Sequence, residues 1–302
     1  MEDLMQDLPM SMMFAAFTGI SWYIGIEINI SLFLLFKHRR GLYFWSCALT
    51  SWGVILQPLF MILADYNIWK DKIPAIVIIY LTWLIMVVPQ SWVLYSRLHL
   101  LINTTKTLSR IKLVLIFTSI VFSIPTIVIG TLAVSVACPS INKDATRTVA
   151  NLATVQQATT LKLTSFNLIW DRVQLVVFVV QESALGILYI FQTRNYLRER
   201  APILERSWAT PSTIEWKRSK QKNMLSQLIC TNLLIIALDI TLIGIQCANL
   251  FYLQAAFKPC VYGIKLKVEF VILNRLIKLV NQASSTVPTD SIDYGHATNS
   301  DK

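Results

Sequence analysis

The sequence is poor in charged residues, in cysteine and in the short motifs of soluble enzymes. Only 15% of its 302 residues are Asp, Glu, Lys or Arg, whereas a soluble globular domain carries about 25%. Because so few charged side chains cannot cover a surface in water, an ordinary soluble enzyme is excluded. The five cysteines include no Cys-x-x-Cys pair, which excludes a disulfide scaffold and a zinc module. No G-x-G-x-x-G, P-loop or H-E-x-x-H motif occurs, and we expect no cofactor and no metal.

Long apolar stretches dominate what is present, since 55% of the residues are hydrophobic. A helix needs about 20 apolar residues to cross the hydrocarbon core of a bilayer. The sequence therefore predicts an all-α polytopic bundle of seven transmembrane helices. The last of the seven is counted although it contains Lys265, Lys267 and Glu269, and its start is open because Cys247–Lys258 is apolar as well. The predicted spans are Pro9–Phe36, Leu42–Ala64, Ile73–Tyr95, Leu113–Ala137, Val173–Gln192, Met224–Gln246 and Pro259–Val280.

The surplus of ten positive charges predicts how the bundle is oriented. Fifteen Lys and Arg fall in the odd-numbered loops and seven in the even-numbered loops, and cytoplasmic loops carry the excess. We therefore expect residues 1–8 outside or in a lumen and the C-terminus in the cytosol. Residues 281–302, rich in Ser, Thr and Asp, are typical of a disordered tail. The basic residues are thus explained by the membrane, and no nucleic-acid partner is expected.

Four acids fall near the middle of predicted spans, where each charge costs about 2.5–3.5 kcal/mol and indicates function by default. Glu269 follows Lys265 by four residues, so these two are predicted to form a structural ion pair on one helix face. Glu182 and Asp239 have no basic residue within reach on their own helices and are the first candidates for catalytic acids. Glu27 is the third. Burial of a carboxyl group favours its protonated form, which a general acid requires.

Polar and aromatic residues recur at helical spacing beside these acids. Asn232 and Gln246 lie seven residues either side of Asp239, and Trp83, Gln90 and Arg97 are spaced in the same way. Such stripes face other helices or a cavity, because lipid cannot satisfy them. Two interpretations stay open: interhelical hydrogen bonds and packing, or a substrate pocket whose aromatic faces stabilise a cation. The substrate-pocket candidates are Trp22, Trp52, Trp83, Gln90, Trp92, Asn232 and Gln246.

Three cysteines, Cys138, Cys247 and Cys260, are predicted near the outer ends of helices. Any two of them are placed to form a disulfide in an oxidising compartment. Buried free thiols are the alternative, and the sequence does not decide between the two.

Six short stretches are distinctive in combination: Arg40–Ser46, Ser51–Gly53, Gln90–Leu100, Gln181–Glu182, Leu238–Ile240 and Lys265–Phe270. Together they resemble a fungal family of seven-helix integral membrane proteins with a domain of unknown function. Some members of that family lie in indole-diterpene clusters of the paxilline and lolitrem type. The resemblance covers residues 27–279, which is nearly all of the membrane part.

The resemblance implies a role in the biosynthesis of fungal indole-diterpene mycotoxins, in the endoplasmic reticulum membrane. It implies a terpene cyclase that protonates an epoxidised prenyl chain, with Glu182 and Asp239 as acids, Glu27 next, and interior tryptophans along the cation path. The substrate would be lipophilic, and other enzymes of the cluster would be partners. The chain departs from the family at Pro89, where a glycine is expected. A proline inside a helix produces a kink and is predicted to shift Gln90.

Other seven-helix classes fit the sequence less well. A retinal protein requires a lysine in the seventh helix, which Lys265 or Lys267 supplies, but the third helix offers no carboxylate as counter-ion. A receptor of the common type has Asp/Glu-Arg-Tyr where this chain has Ser96-Arg97-Leu98. A proton-coupled transporter is disfavoured because no internal repeat is visible. The alternative that stays open is a receptor-like or accessory membrane protein without catalytic activity.

Overall fold

Seven α-helices make up the described part of the chain. The computed structural model describes residues 8–36, 41–66, 72–101, 105–137, 149–206, 211–248 and 250–284, and no strand occurs among them. The all-α fold class is therefore confirmed. The helices are α1 Leu8–Leu35, α2 Leu42–Asp65, α3 Lys72–Leu101, α4 Thr105–Ala137, α5 Val149–Arg206, α6 Pro211–Cys247 and α7 Phe251–Ser284.

Within these residues, the first six helices are long and apolar enough to cross a bilayer, which indicates an integral membrane protein. Their apolar segments are Ser11–Leu35, Leu42–Asp65, Ile73–His99, Lys106–Ala133, Ser165–Asn195 and Ser226–Cys247. Helix α7 has 34 residues and is longer than a crossing requires. It is not among the six, since its apolar stretch is interrupted by Lys265, Lys267 and Glu269.

The helices form a closed ring in which each one packs against its neighbours in the chain. Helix α7 returns to α1 and closes the ring. Helix α3 also contacts α5 and α7, and α7 also contacts α2, so these two helices lie toward the centre. Polar groups on the inner faces of α3 and α7 are thereby held among several helices.

One glycine sets the distance between α2 and α3. A Cβ atom added at Gly53 would lie 2.6 Å from the Cα atom of Met86, so the two helix backbones are in direct contact there. Small residues allow membrane helices to approach in this way.

Several helices extend beyond the predicted spans. The predicted fifth span was Val173–Gln192, but α5 runs from Val149 to Arg206, and α7 starts eight residues before the predicted Pro259. Hydropathy marks only the apolar part of a helix, whereas Glu, Arg, Gln and Lys are good helix formers and continue the helix beyond that part. Residues 1–7 and 285–302 lie outside the described residues.

The cysteine prediction is resolved in part. Cys247 is exposed and Cys260 is buried, and both are free thiols. Cys138 lies outside the described residues.

Candidate functional site

A buried lysine on α7 joins three helices. The Lys265 ammonium group donates hydrogen bonds to Oε2 of Glu182 on α5, at 2.8 Å, and to Oδ1 of Asp239 on α6. The three residues are only 1–3% exposed. The two acids that the sequence left without a basic partner therefore share one cation from a third helix.

Each of these carboxyl groups is bound at one oxygen only. Glu182 Oε1 and Asp239 Oδ2 are buried and have no hydrogen-bond partner among the described protein groups. A buried carboxyl oxygen without a partner is costly, and buried polar atoms of this kind concentrate at functional sites. Both oxygens of Glu269 on α7 are likewise buried without a partner among the described groups. These four oxygens have the capacity to hold and transfer a proton.

A third acid and a second base complete the site. Glu269 lies one turn after Lys265 on α7 and is fully buried, and its Oε2 is 4.0 Å from Nη1 of Arg97 on α3. The Arg97 guanidinium lies 4.5 Å from the centre of the Tyr189 ring on α5. Glu269 interacts electrostatically with Arg97, Lys265 and both other acids. We call Arg97, Glu182, Asp239, Lys265 and Glu269 the charge cluster.

The predicted structural ion pair between Lys265 and Glu269 is wrong. Their spacing permits contact on one helix face, but Lys265 instead binds Glu182 and Asp239, and Glu269 faces Arg97. The physical reason is that two acids from neighbouring helices reach the ammonium group directly, and buried carboxylates require such a partner.

Arg97 is the residue that sequence reasoning placed least well. The predicted span Ile73–Tyr95 leaves Arg97 in the third loop, whereas its side chain is 4% exposed inside α3. Its position seven residues after Gln90 was the available signal, since that spacing puts both on one face of the helix. Tyr189 and Tyr262 were not predicted either; the Tyr262 ring centre is 5.0 Å from the Lys265 ammonium nitrogen.

Glu27 does not join the other predicted acids. Its Oε2 accepts a hydrogen bond of 2.6 Å from Lys267 at the contact between α1 and α7, and both side chains are 39% exposed. Two positions along an α-helix correspond to a rotation of about 200° about its axis, so the two side chains point to nearly opposite sides of the helix. Lys265 therefore faces the charge cluster while Lys267 faces outward with Glu27.

The predicted pocket residues on α3 and α6 are buried or half-buried. Gln90 is fully buried, and neither amide atom has a hydrogen-bond partner among the described groups. Trp83 packs edge-on against Phe178, with ring centres 6.3 Å apart. Trp92 packs edge-on against Tyr95 of its own helix. Asn232 donates to the Gly186 carbonyl oxygen at 3.2 Å and so links α6 to α5.

The remaining pocket candidates differ in their surroundings. Trp22 donates through Nε1 to the Ile55 carbonyl oxygen at 3.1 Å, a contact between α1 and α2. Gln246 is 3% exposed, with an unpartnered amide oxygen. Trp52 is 55% exposed on the outside of the bundle, so its assignment to an interior pocket is wrong. The buried residues on either side of it, Ser51 and Gly53, occupy the inner face of α2.

Comparison with protein families matches residues 5–288 to a model described as a domain of unknown function, DUF7703. The match covers nearly the whole chain. The protein belongs to the DUF7703 family. Comparison with curated proteins and with solved structures gives no match.

The DUF7703 domain contains the entire charge cluster and the pair Glu27–Lys267. Three of the six stretches that carried the resemblance, Gln181–Glu182, Leu238–Ile240 and Lys265–Phe270, supply four of the five cluster residues, and Gln90–Leu100 supplies Arg97. The distinctive stretches of this DUF7703 chain thus converge on one place in the fold.

Proposed function

We propose that this DUF7703 protein is a membrane-embedded acid catalyst of fungal terpenoid biosynthesis, in which the charge cluster protonates an epoxidised prenyl chain such as that of an indole-diterpene precursor. One observation carries the proposal: Glu182 and Asp239 are each fixed by Lys265 at one oxygen and keep the other oxygen free. The free oxygens are buried between helices, where a lipophilic substrate would arrive from the bilayer.

The number of charges supports this role. Three carboxylates face two basic groups, so the fully ionised cluster carries one negative charge in excess. A buried charge without a partner is strongly unfavourable, and one bound proton removes the excess. That proton is the one we assign to the reaction.

The reaction balances without a further reactant. The proton moves from a carboxyl oxygen to the epoxide oxygen, the bond from that oxygen to the more substituted carbon breaks, and a tertiary carbocation forms. Alkene electron pairs then close the ring, and loss of a proton from carbon to the carboxylate restores the acid. The product is an isomer of the substrate. Aromatic faces stabilise the intermediate cation. The Tyr262 ring lies beside Lys265, and Phe178 and Trp83 pack in the same buried cluster as Tyr262.

Access to the acids requires helices to separate. Glu182 is 3% and Asp239 1% exposed. In the described conformation, therefore, hardly any of their surface is accessible to a solvent or substrate molecule. The apolar part of α6 is the least buried of the six candidate spans, at 22%, and α6 contributes Asp239 itself. We assign α6 as the wall that moves when a substrate enters.

The topology belongs to the same proposal. Helix α7 crosses the membrane as the seventh span, since its buried Lys265 and Glu269 face other helices and its Lys267 is paired with Glu27. The N-terminus lies on the luminal side of the endoplasmic reticulum and the C-terminus in the cytosol.

A second candidate function rests on how completely the site is closed. A lysine that binds acids on two other helices also holds the three helices together, and buried polar contacts of this kind fix the register of the helices. The charge cluster would then stabilise a receptor-like or accessory protein that has no catalytic activity. This candidate predicts that cluster variants lose stability and that no product is ever formed.

The proposal is tested with microsomes that contain the protein and an epoxidised prenyl-indole. We expect a cyclised product of identical mass, and at least a hundredfold less of it with Glu182→Gln or Asp239→Asn, since positioned acids contribute 10²–10⁴-fold. Asp65→Asn, the same chemical change at the exposed end of α2, is the matched control and retains full activity. Product formation that survives in both cluster variants contradicts the assignment, and absence of product with the wild-type protein favours the structural role.

A further inference from the structure

The ion pair between Glu27 and Lys267 is open to the outside of the bundle. Their charged atoms are 2.6 Å apart, yet both side chains are 39% exposed. The Tyr23 ring, 66% exposed, lies beside them with its centre 5.8 Å from the Lys267 ammonium nitrogen. The ion pairs of the charge cluster, in contrast, are at most 5% exposed.

The depth of this pair makes its exposure unusual. Glu27 lies eight residues before the end of the apolar segment Ser11–Leu35, which is about 12 Å along the helix. A lysine that reaches for the headgroups does so from near the end of a helix, whereas Lys267 is held at the level of Glu27. Charged groups at this depth almost always face protein or a water-filled cavity.

The exposed face of α1 has the pattern of a helix–helix contact. Ile20, Tyr23, Glu27, Ile30 and Leu34 alternate by three and four residues, which is the spacing of a helix that packs against a second helix. The four apolar members are 44–82% exposed. Glu27 occupies the central position, where one polar residue fixes register and oligomeric state.

We propose that a second copy of this chain covers this face, so that the protein forms a two-fold symmetric dimer through α1 and α7. A two-fold axis along the membrane normal keeps every residue at its own depth. Glu27 of each copy then meets Lys267 of the other at one level, and the four charges alternate in sign. A second copy is favoured as the occupant because it presents the same acid and the same base, so its charges are complementary to those of this face. The inference is independent of the proposed function.

Charge reversal at one position in each of two chains tests the dimer. E27K carries two lysines at the contact and K267E two glutamates, so both variants lose the pair within one chain. We expect each variant alone to associate at least tenfold more weakly than the wild type, measured by energy transfer between labelled copies in phosphatidylcholine vesicles. An equal mixture of E27K and K267E restores association, because only a contact between copies brings opposite charges together.

The controls separate association from misfolding. Both variants should elute as monodisperse species with the helix content of the wild type, and D65K, a charge reversal at the exposed end of α2, should associate like the wild type. A wild-type protein that stays monomeric at all protein-to-lipid ratios overturns the proposal. A mixture that associates no better than its two components does so as well.

Discussion

Replacing Lys265 by methionine removes the cation that Glu182 and Asp239 share. Methionine has a similar length, so the change is chiefly one of charge and hydrogen bonding. Removal of one partner from a buried ion pair destabilises a protein by about 3–5 kcal/mol, and here two buried acids lose the same partner. We therefore expect the free energy of unfolding to fall by at least about 3–5 kcal/mol.

The measurement is unfolding of the purified protein in mixed micelles by increasing concentrations of sodium dodecyl sulfate, followed by circular dichroism. Lys112→Met, at an exposed position on α4, is the matched control, and we expect a change within about 0.5 kcal/mol. The triple variant K265M/E182Q/D239N also lacks the two acids that Lys265 compensates, so only the Arg97–Glu269 pair of the charge cluster stays charged, and the variant should recover most of the lost stability. A loss below about 1 kcal/mol, or a triple variant no more stable than K265M, refutes the reasoning.

Three further predictions concern packing, the second base and topology. Gly53→Ala places a Cβ atom 2.6 Å from the Met86 Cα atom and should destabilise by about 1–3 kcal/mol in the same unfolding assay, whereas Gly19→Ala meets no atom within 4 Å and should be neutral or stabilising. Arg97→Gln removes the cation that faces Glu269 and should lower the free energy of unfolding by up to about 3–5 kcal/mol. The double variant R97Q/E269Q should recover most of that free energy. Equal stability of R97Q and the wild type contradicts the pairing. A protease site added at the C-terminus should be cleaved in sealed microsomes and one at the N-terminus protected; the reverse pattern overturns the orientation.

The positions of the helices along the sequence were predictable, but their ends were not. Apolar runs of membrane length identified each of the six candidate spans, because hydropathy reports directly on transfer into a bilayer. The same signal ends where the first charges appear, so the outer parts of α5 and α6 were assigned to loops. The prediction for α7 also began late, since Cys247–Lys258 gave no clear boundary.

The contents of the site were predictable and its pairings were not. Burial of charge at mid-span singled out Glu182, Asp239, Lys265 and Glu269, all of which the structure brings together. Which acid meets which base depends on the rotation of each helix in the ring, and spacing within one helix carries no information on that rotation. The pair Lys265–Glu269 was predicted from spacing alone and is wrong for this reason.

Exposure of single aromatic residues was the least predictable feature. Trp22, Trp52, Trp83 and Trp92 all lie away from the ends of their spans, yet Trp52 faces outward and the other three are half-buried. In water, an outward tryptophan would be disfavoured, but lipid accepts either face of a helix. Polar neighbours such as Ser51 are the better guide to the inner face, because lipid does not satisfy them.

The most direct test of the catalytic proposal is conversion of an epoxidised prenyl-indole by microsomes containing either the wild-type chain or the double variant E182Q/D239N. The double variant retains Lys265 and both side-chain shapes but has no carboxyl proton at the free oxygens. We expect a cyclised isomer of unchanged mass from the wild type and none above background from the double variant. Equal amounts of product from both proteins would contradict the role of Glu182 and Asp239 as the acids.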